Sequence, residues 1–161
     1  MKSSPVHAFA CRLEWTGARR GSLQDYESYS REWAVEIAGK PTLRGSAAAV
    51  FRGDAALHNP EDLLVAALSS CHFLSYAALC ARHRIEVLAY EDTASGTMAY
   101  DEPAKVMRFT EVVLRPKVTL ARDADVDKAL SLHARAHHEC FIANSVSFPV
   151  RNIPEVFVRR S

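Results

Sequence analysis

NPEDLLVAALSSCHFLSYAALCARH, residues Asn59 to His83, reads as one long helix with a cysteine at its middle. Asn59 is a good N-cap, because its side-chain oxygen accepts one of the free N–H groups of the first turn. Pro60 suits the first helical position, where a missing N–H costs nothing, and Glu61 and Asp62 favour the positive end of the helix dipole. From Leu63 onward the residues are Leu, Val, Ala, Ser, Cys, Phe and Tyr nearly all the way round, which is the composition of a helix inside a core or an interface. Cys71 is therefore expected in dry, crowded surroundings. Small residues at Ala67, Ser69, Ser70 and Ser75 leave room for another helix or a small ligand to reach its sulfur.

The rest of the chain limits what this helix can belong to. Its 161 residues suffice for one domain with one core. With 48% hydrophobic and 24% charged residues and a net charge of +1, it has an ordinary globular composition. Without a basic tract or an RNA-reading aromatic motif, nucleic acid is not an expected partner. The apolar run Leu63 to Leu79 follows two acids and is interrupted by serines and a histidine, so a core helix is expected in preference to a membrane span. The segment MKSSPVHAFACRLEW lacks an apolar signal core, which points to the cytoplasm. Cysteines at 11, 71, 80 and 140 show no close pairing pattern and are expected as thiols there, unless redox chemistry is their purpose.

Outward from the helix, the pattern is that of strands. Phe9, Cys11, Leu13 and Trp15 alternate with Ala10, Arg12, Glu14 and Thr16, and Gly17 to Gly21 turns the chain. Tyr29 to Ile37 offers a second strand, ended by Gly39-Lys40-Pro41, and the two predict a hairpin. LRGSAAAVFRGDAALH is looser and leads to the helix. Beyond the helix, Ile85 to Tyr100 reads as strand with a bend at Ser95-Gly96, and Phe109 to Leu120 as a second arm with an irregularity at Pro116. Asp123 or Asp125 caps a second helix, DVDKALSLHARAHHEC, which places Cys140 at its C-terminal end. Pro149 and Pro154 stop the connection that follows, and Val156 to Val158 makes a short final strand. The whole predicts one α+β domain over residues 1–161.

The chemistry rests on the cysteines, since no Gly-rich phosphate loop, Ser-His-Asp pattern or CxxC pair is present. Cys71 and Cys80 share a helix, but nine residues at about 100° each put them on opposite faces. Cys71 and Cys140 meet if the second helix docks its end beside the middle of the first, giving a two-cysteine redox centre; two inert buried cysteines are the alternative. His72 points about 100° away from Cys71 and is expected to be a packed or interface histidine. His133, His137 and Cys140 fall at i, i+4 and i+7, the spacing of a metal site. A catalytically silent dimer that binds an apolar ligand between its helices is a further alternative.

The NPE motif ten residues before a cysteine, together with AHHECFIANSV around Cys140, resembles the OsmC/Ohr family of osmotically induced and organic hydroperoxide resistance proteins. The resemblance runs from about Trp15 to the last strand. It implies a swapped α+β homodimer with long helices at its centre, and a thiol-dependent peroxidase. Carried over residue by residue, Cys71 matches the peroxidatic cysteine, Cys140 the resolving one, Glu61 the family's carboxylate, and Arg52 in VFRGD the arginine of OsmC-type members. Ohr-type members place theirs in the first hairpin turn, where this chain has Arg19 and Arg20, with Arg31 nearby. Where the family commonly has CPxS, Cys140 is followed by Phe141, Ile142 and Ala143. The Ohr branch implies a lipoylated protein as reductant, with another dithiol as the alternative.

A free thiol with pKa ~8.5 is a few per cent thiolate at neutral pH, and burial in an apolar helix opposes ionisation further. A cation beside Cys71 is therefore expected, with Arg52 hydrogen-bonding the thiolate and the peroxide and Glu61 holding the guanidinium. No cofactor is needed, because sulfur carries the two electrons. Glu61 lies ten residues from Cys71, ~15 Å along the helix axis. One arginine does not span that comfortably, so a composite site is expected across two antiparallel helices, with Glu61 and Arg52 of one chain facing Cys71 of the other.

Overall fold

The computed structural model describes residues 6–159, and the chain groups into two compact units, Met1–Leu63 and Leu64–Ser161. The first five residues of the segment inspected for a signal core lie outside the described ones.

In the first unit, β1 (Arg12–Glu14), β2 (Trp33–Glu36) and β3 (Leu43–Gly45) form an antiparallel sheet in that order. Leu13 stands opposite Val35, and Val35 opposite Leu43. The expected hairpin is present, with shorter strands than the alternation suggested: Phe9 is 95% exposed and has no partner face to pack on. Thr16–Arg20 coils into a 3-10 turn, and the Trp15 indole N–H donates to the Ser30 carbonyl at 2.7 Å, tying the connection down. β3 arises inside the stretch expected to be loose. Gly45 lies flat against the Trp33 indole, where a Cβ has no room, and Ser46 N–H donates to the His58 carbonyl at 2.8 Å.

The long helix α1 spans Pro60–Arg82. Asn59 caps it as expected: its Oδ1 accepts the Asp62 N–H at 2.8 Å, and its amide donates to the Asp62 carboxylate at 2.7 Å. Arg84 ends it in the left-handed region at φ 58. Ile85 N–H then reaches back to the Cys80 carbonyl and Arg84 N–H to the Ala81 carbonyl, the pairing of a Schellman motif.

The second unit contains β4 (Val87–Asp92), β5 (Ser95–Asp101), β6 (Val106–Leu114), β7 (Pro116–Leu120), α2 (Val126–Glu139), β8 (Val150–Asn152) and β9 (Glu155–Val158). They make two three-stranded sheets, β4-β7-β9 and β5-β6-β8, in which β8 and β9 join in parallel. The two long strands expected from periodicity each divide in two. The Asp92 carboxylate accepts the Arg115 N–H at 2.7 Å, and the Arg115 guanidinium donates to Ser95 Oγ at 2.8 Å. This corner lets one antiparallel ribbon pass from one sheet to the other. Asp125 precedes α2, but Arg122 Nε donates to its carboxylate at 3.1 Å, so it makes no side-chain cap bond.

Two apolar clusters hold this unit. One joins Tyr76, Leu79 and Cys80 of α1 to Val118, Leu120, Ala129, Leu132 and Ala136; the other joins Leu68 to Val112 and Leu114. Each fully buried Leu is worth roughly 1.5–3 kcal/mol. In a single chain α1 is covered on one side only: Ala66, Ser70, Phe73, Leu74 and Ala78 form an exposed stripe at helical spacing. The helix expected inside a core or an interface thus keeps, in one chain, a bare apolar face.

Candidate active site

Cys71 lies half-buried in the middle of α1, and Cys140, 1% exposed, is the residue on which α2 ends. The two thiols are neighbours, close enough for Cys71 to raise the pKa of Cys140. Docking the end of the second helix beside the middle of the first is therefore what the fold does. Burial, with Cys71 next in weight, pushes the Cys140 thiol up to about 11, against the opposing effect of backbone donors. One of these is Ala143 N–H, 3.4 Å from the sulfur.

The residues after Cys140 close a turn without the proline of the CPxS pattern. The Asn144 amide donates to the Cys140 and His138 carbonyls at 3.0 and 2.8 Å, and the Ser145 hydroxyl donates to the Phe141 carbonyl at 2.8 Å. Phe141 itself is 81% exposed, so hydrogen bonds rather than a fixed ring shape this loop. The run of Asn and Ser after the helix was the available signal for it.

His72 is fully buried, and its Nε2 is 3.1 Å from Nδ1 of His133 and 2.9 Å from the Asn152 amide. His133 also stacks on Tyr76 with centroids 3.9 Å apart. Burial lowers the His72 pKa to about 4, and His137 adds to this; burial and then His72 lower that of His133 to about 3. Both rings are neutral at physiological pH. His72 is packed, as expected, but its partnership with His133 and Asn152 has no counterpart in local sequence.

His133 turns to His72 and Cys140 to Cys71, and no group of three or more His, Cys, Asp or Glu side chains among the described residues is placed to hold a metal ion. His133, His137 and Cys140 are thus not gathered on one point among the described residues.

In the first unit a cavity of about 470 Å³ is lined by Trp15, Tyr29, Trp33, Phe51, Arg31 and Glu61, among others. Glu61 Oε2 is buried with no hydrogen-bond partner. Arg31 donates to the Tyr29 and Tyr26 carbonyls at 3.0 and 2.7 Å, and its guanidinium lies 4.1 Å from the Tyr29 ring centre. Arg52, held in the left-handed region at φ 65, pairs with Glu27. Arg20 pairs with Glu32 at 2.8 Å, and Arg19 lies on the same 3-10 turn. Of the candidate arginines, Arg31 lines this cavity with Glu61, and Arg19, Arg20 and Arg52 do not.

A family model described as OsmC-like protein matches residues 53–152. The chain belongs to the OsmC family. An OsmC-like protein of unknown function from Vibrio cholerae is 30% identical, with a TM-score of 0.83 over 94% of this chain and all of that one. An organic hydroperoxide resistance protein from Legionella pneumophila shares the fold at 18% identity, with a TM-score of 0.70 over 96% and 99% of the two chains. Another from Bacillus subtilis does so at 17% identity, TM-score 0.60, over 93% and 98%. No curated protein sequence matches the chain. The α+β architecture described above is thus the OsmC-like fold.

Proposed function

We propose that this OsmC-like protein is a thiol-dependent peroxidase that reduces organic hydroperoxides to alcohols. The observation that carries the reading is the Cys71–Cys140 thiol pair, half open on one sulfur and closed on the other. The Cys71 thiolate attacks the terminal peroxide oxygen; the O–O bond breaks, the alkoxide leaves and takes a proton as the alcohol, and Cys71 becomes a sulfenic acid. The Cys140 thiol then condenses with it, releasing water and forming a disulfide. A dithiol, with a lipoylated protein as the form the family resemblance implies, reduces that disulfide and is itself oxidised.

The unpartnered Glu61 oxygen calls for a guanidinium N–H, since a buried, unpaired carboxylate oxygen is costly. Arg31 is favoured for this by the shared cavity, with Arg52 the other candidate. The bare stripe on α1 supports a homodimer in which Glu61 and its arginine serve the Cys71 of the other chain. A reducing cytoplasm suits the four thiols.

The test is to reduce the protein, remove the reductant, add one equivalent of an alkyl hydroperoxide, and map the cysteines by peptide mass spectrometry. The expected product is a Cys71–Cys140 disulfide, replaced by over-oxidised Cys71 in Cys140→Ser. Untouched thiols with persisting peroxide overturn the reading and leave the non-catalytic, ligand-binding dimer. Light scattering of the same sample reads the dimer; a stable, active monomer sinks the composite site.

A further inference from the structure

We propose that His72, His133 and Asn152 form a register lock that positions Cys140 for disulfide formation with Cys71, acting through the two helices rather than on the substrate. The proposal rests on the redox reading of the two cysteines and extends it to residues outside the reacting pair.

The geometry has three parts. His72 directly follows Cys71 on α1, so the two share one rigid turn. His133 lies seven residues before Cys140 on α2, ~10 Å along the axis, and α2 runs unbroken between them. The 3.1 Å contact between His72 Nε2 and His133 Nδ1 joins the helices, and Asn152 of β8 adds a third element at 2.9 Å. His72 Nε2 offers one lone pair or one N–H in the ring plane, so its contacts with His133 Nδ1 and the Asn152 amide make one shared, three-centre hydrogen bond whose direction follows from the tautomer and the amide orientation.

Packing alone does not require this. An apolar pair of the same shape holds two helices at least as firmly, because buried polar groups are desolvated. A hydrogen bond adds direction: a slide or roll of α2 breaks it and strands two buried ring nitrogens. His72 Nδ1 and His133 Nε2 already lack partners, so a shifted register has none in reserve. Disulfide formation is demanding in the same coordinate, since the two Cα atoms must come to ~4.4–6.8 Å with correctly aimed Cβ vectors. Fixing α2 against α1 at His133 therefore raises the effective concentration of the Cys140 thiol at the Cys71 sulfenic acid.

The test equilibrates the full-length protein with dithiothreitol redox buffers and reads the Cys71–Cys140 dithiol–disulfide ratio, alongside the fraction of Cys71 over-oxidised after one equivalent of cumene hydroperoxide. His133→Phe keeps the ring stack on Tyr76 and removes the hydrogen bond. It is expected to shift the equilibrium about tenfold toward the dithiol, ~30 mV for this two-electron couple, and to raise Cys71 over-oxidation. His133→Asn, whose amide reproduces the Nδ1 position, is expected to restore both to near wild-type values. If His133→Phe does not fold, His72→Leu breaks the same bond from the other helix and is read in its place. A folded bond-breaking variant with the wild-type ratio, or His133→Asn behaving like His133→Phe, overturns the lock. Absence of the disulfide in the wild-type protein instead overturns the redox reading itself.

Discussion

Cys71 and Cys80 sit on one helix nine residues apart, and their surroundings could hardly differ more. Cys80 is 1% exposed among Tyr76, Leu79, Ile85, Val118 and Leu120, and burial pushes its thiol up. Cys71 is half-buried on the other side, against a second thiol and next to a hydrogen-bonded histidine. Identical chemistry on one scaffold becomes packing in one place and a candidate nucleophile in the other. The difference is access and neighbours, which the helix sets by rotation: about 900° over nine residues turns one sulfur to the apolar cluster and the other to the end of α2.

The largest expected effect follows from removing the open sulfur. Cys71→Ser should reduce hydroperoxide consumption to the uncatalysed rate in a peroxide-depletion assay, with the fold unchanged by circular dichroism; Cys80→Ser should retain turnover. Equal losses in the two variants would erase the contrast.

The cation question comes next. Arg31→Lys keeps the charge but loses the planar fork, and should lower kcat/KM by ~10–100-fold, the loss of one or two charge-assisted hydrogen bonds at ~1.5–3 kcal/mol. Arg52→Lys should change it by less than ~3-fold, because that guanidinium is paired with Glu27. The reverse order in steady-state kinetics would assign the role to Arg52.

A third effect belongs to the buried rings beside Cys71. His72 and His133 are held down at about 4 and about 3, whereas imidazole in an unfolded chain titrates near ~6.5. Below ~6.5 the unfolded chain therefore binds more protons than the folded one. Stability is full above that pH and falls as pH drops toward 4, by up to ~1.4 kcal/mol per ring per pH unit. His137 adds to the depression and Asp92 opposes it. Urea unfolding at pH 7, 5.5 and 4.5 should show the slope, and the His72→Phe/His133→Phe double variant should flatten it.

The smallest effect is the complement of the first. Cys80→Ala should cost ~1–2 kcal/mol, the loss of a buried sulfur from a packed cluster, with turnover intact. A lower kcat would mean that Cys80 takes part after all.

Much of this contrast was legible before any fold was known. The cap at Asn59 and the opposite facing of Cys71 and Cys80 follow from local chemistry and helical period; the meeting of Cys71 with Cys140 was left open beside two inert cysteines, because it depends on where α2 docks. The break in the Ile85–Tyr100 strand was legible as a bend at Ser95-Gly96, but not that it carries the chain into a second sheet, which depends on Asp92 and Ser95 both meeting Arg115 across a corner. Nor was β3, which forms because Gly45 fits against an indole brought over by β2. The His133, His137 and Cys140 spacing looked like a metal site since periodicity says which residues share a face, not what faces them.

The sequence by itself determined a long capped helix with an apolar middle, an α+β order of elements, and a pair of cysteines on separate helices matching a family pattern. These depend on contacts within a few residues or on periods of two and 3.6. Only the tertiary structure decided that His72 bonds His133 and Asn152, that Asn144 shapes the turn after Cys140, and that Arg31 is the arginine sharing a cavity with Glu61. Each of those is a meeting of side chains whose position is set by how whole elements pack, and packing is a property of the assembled core that no local stretch encodes.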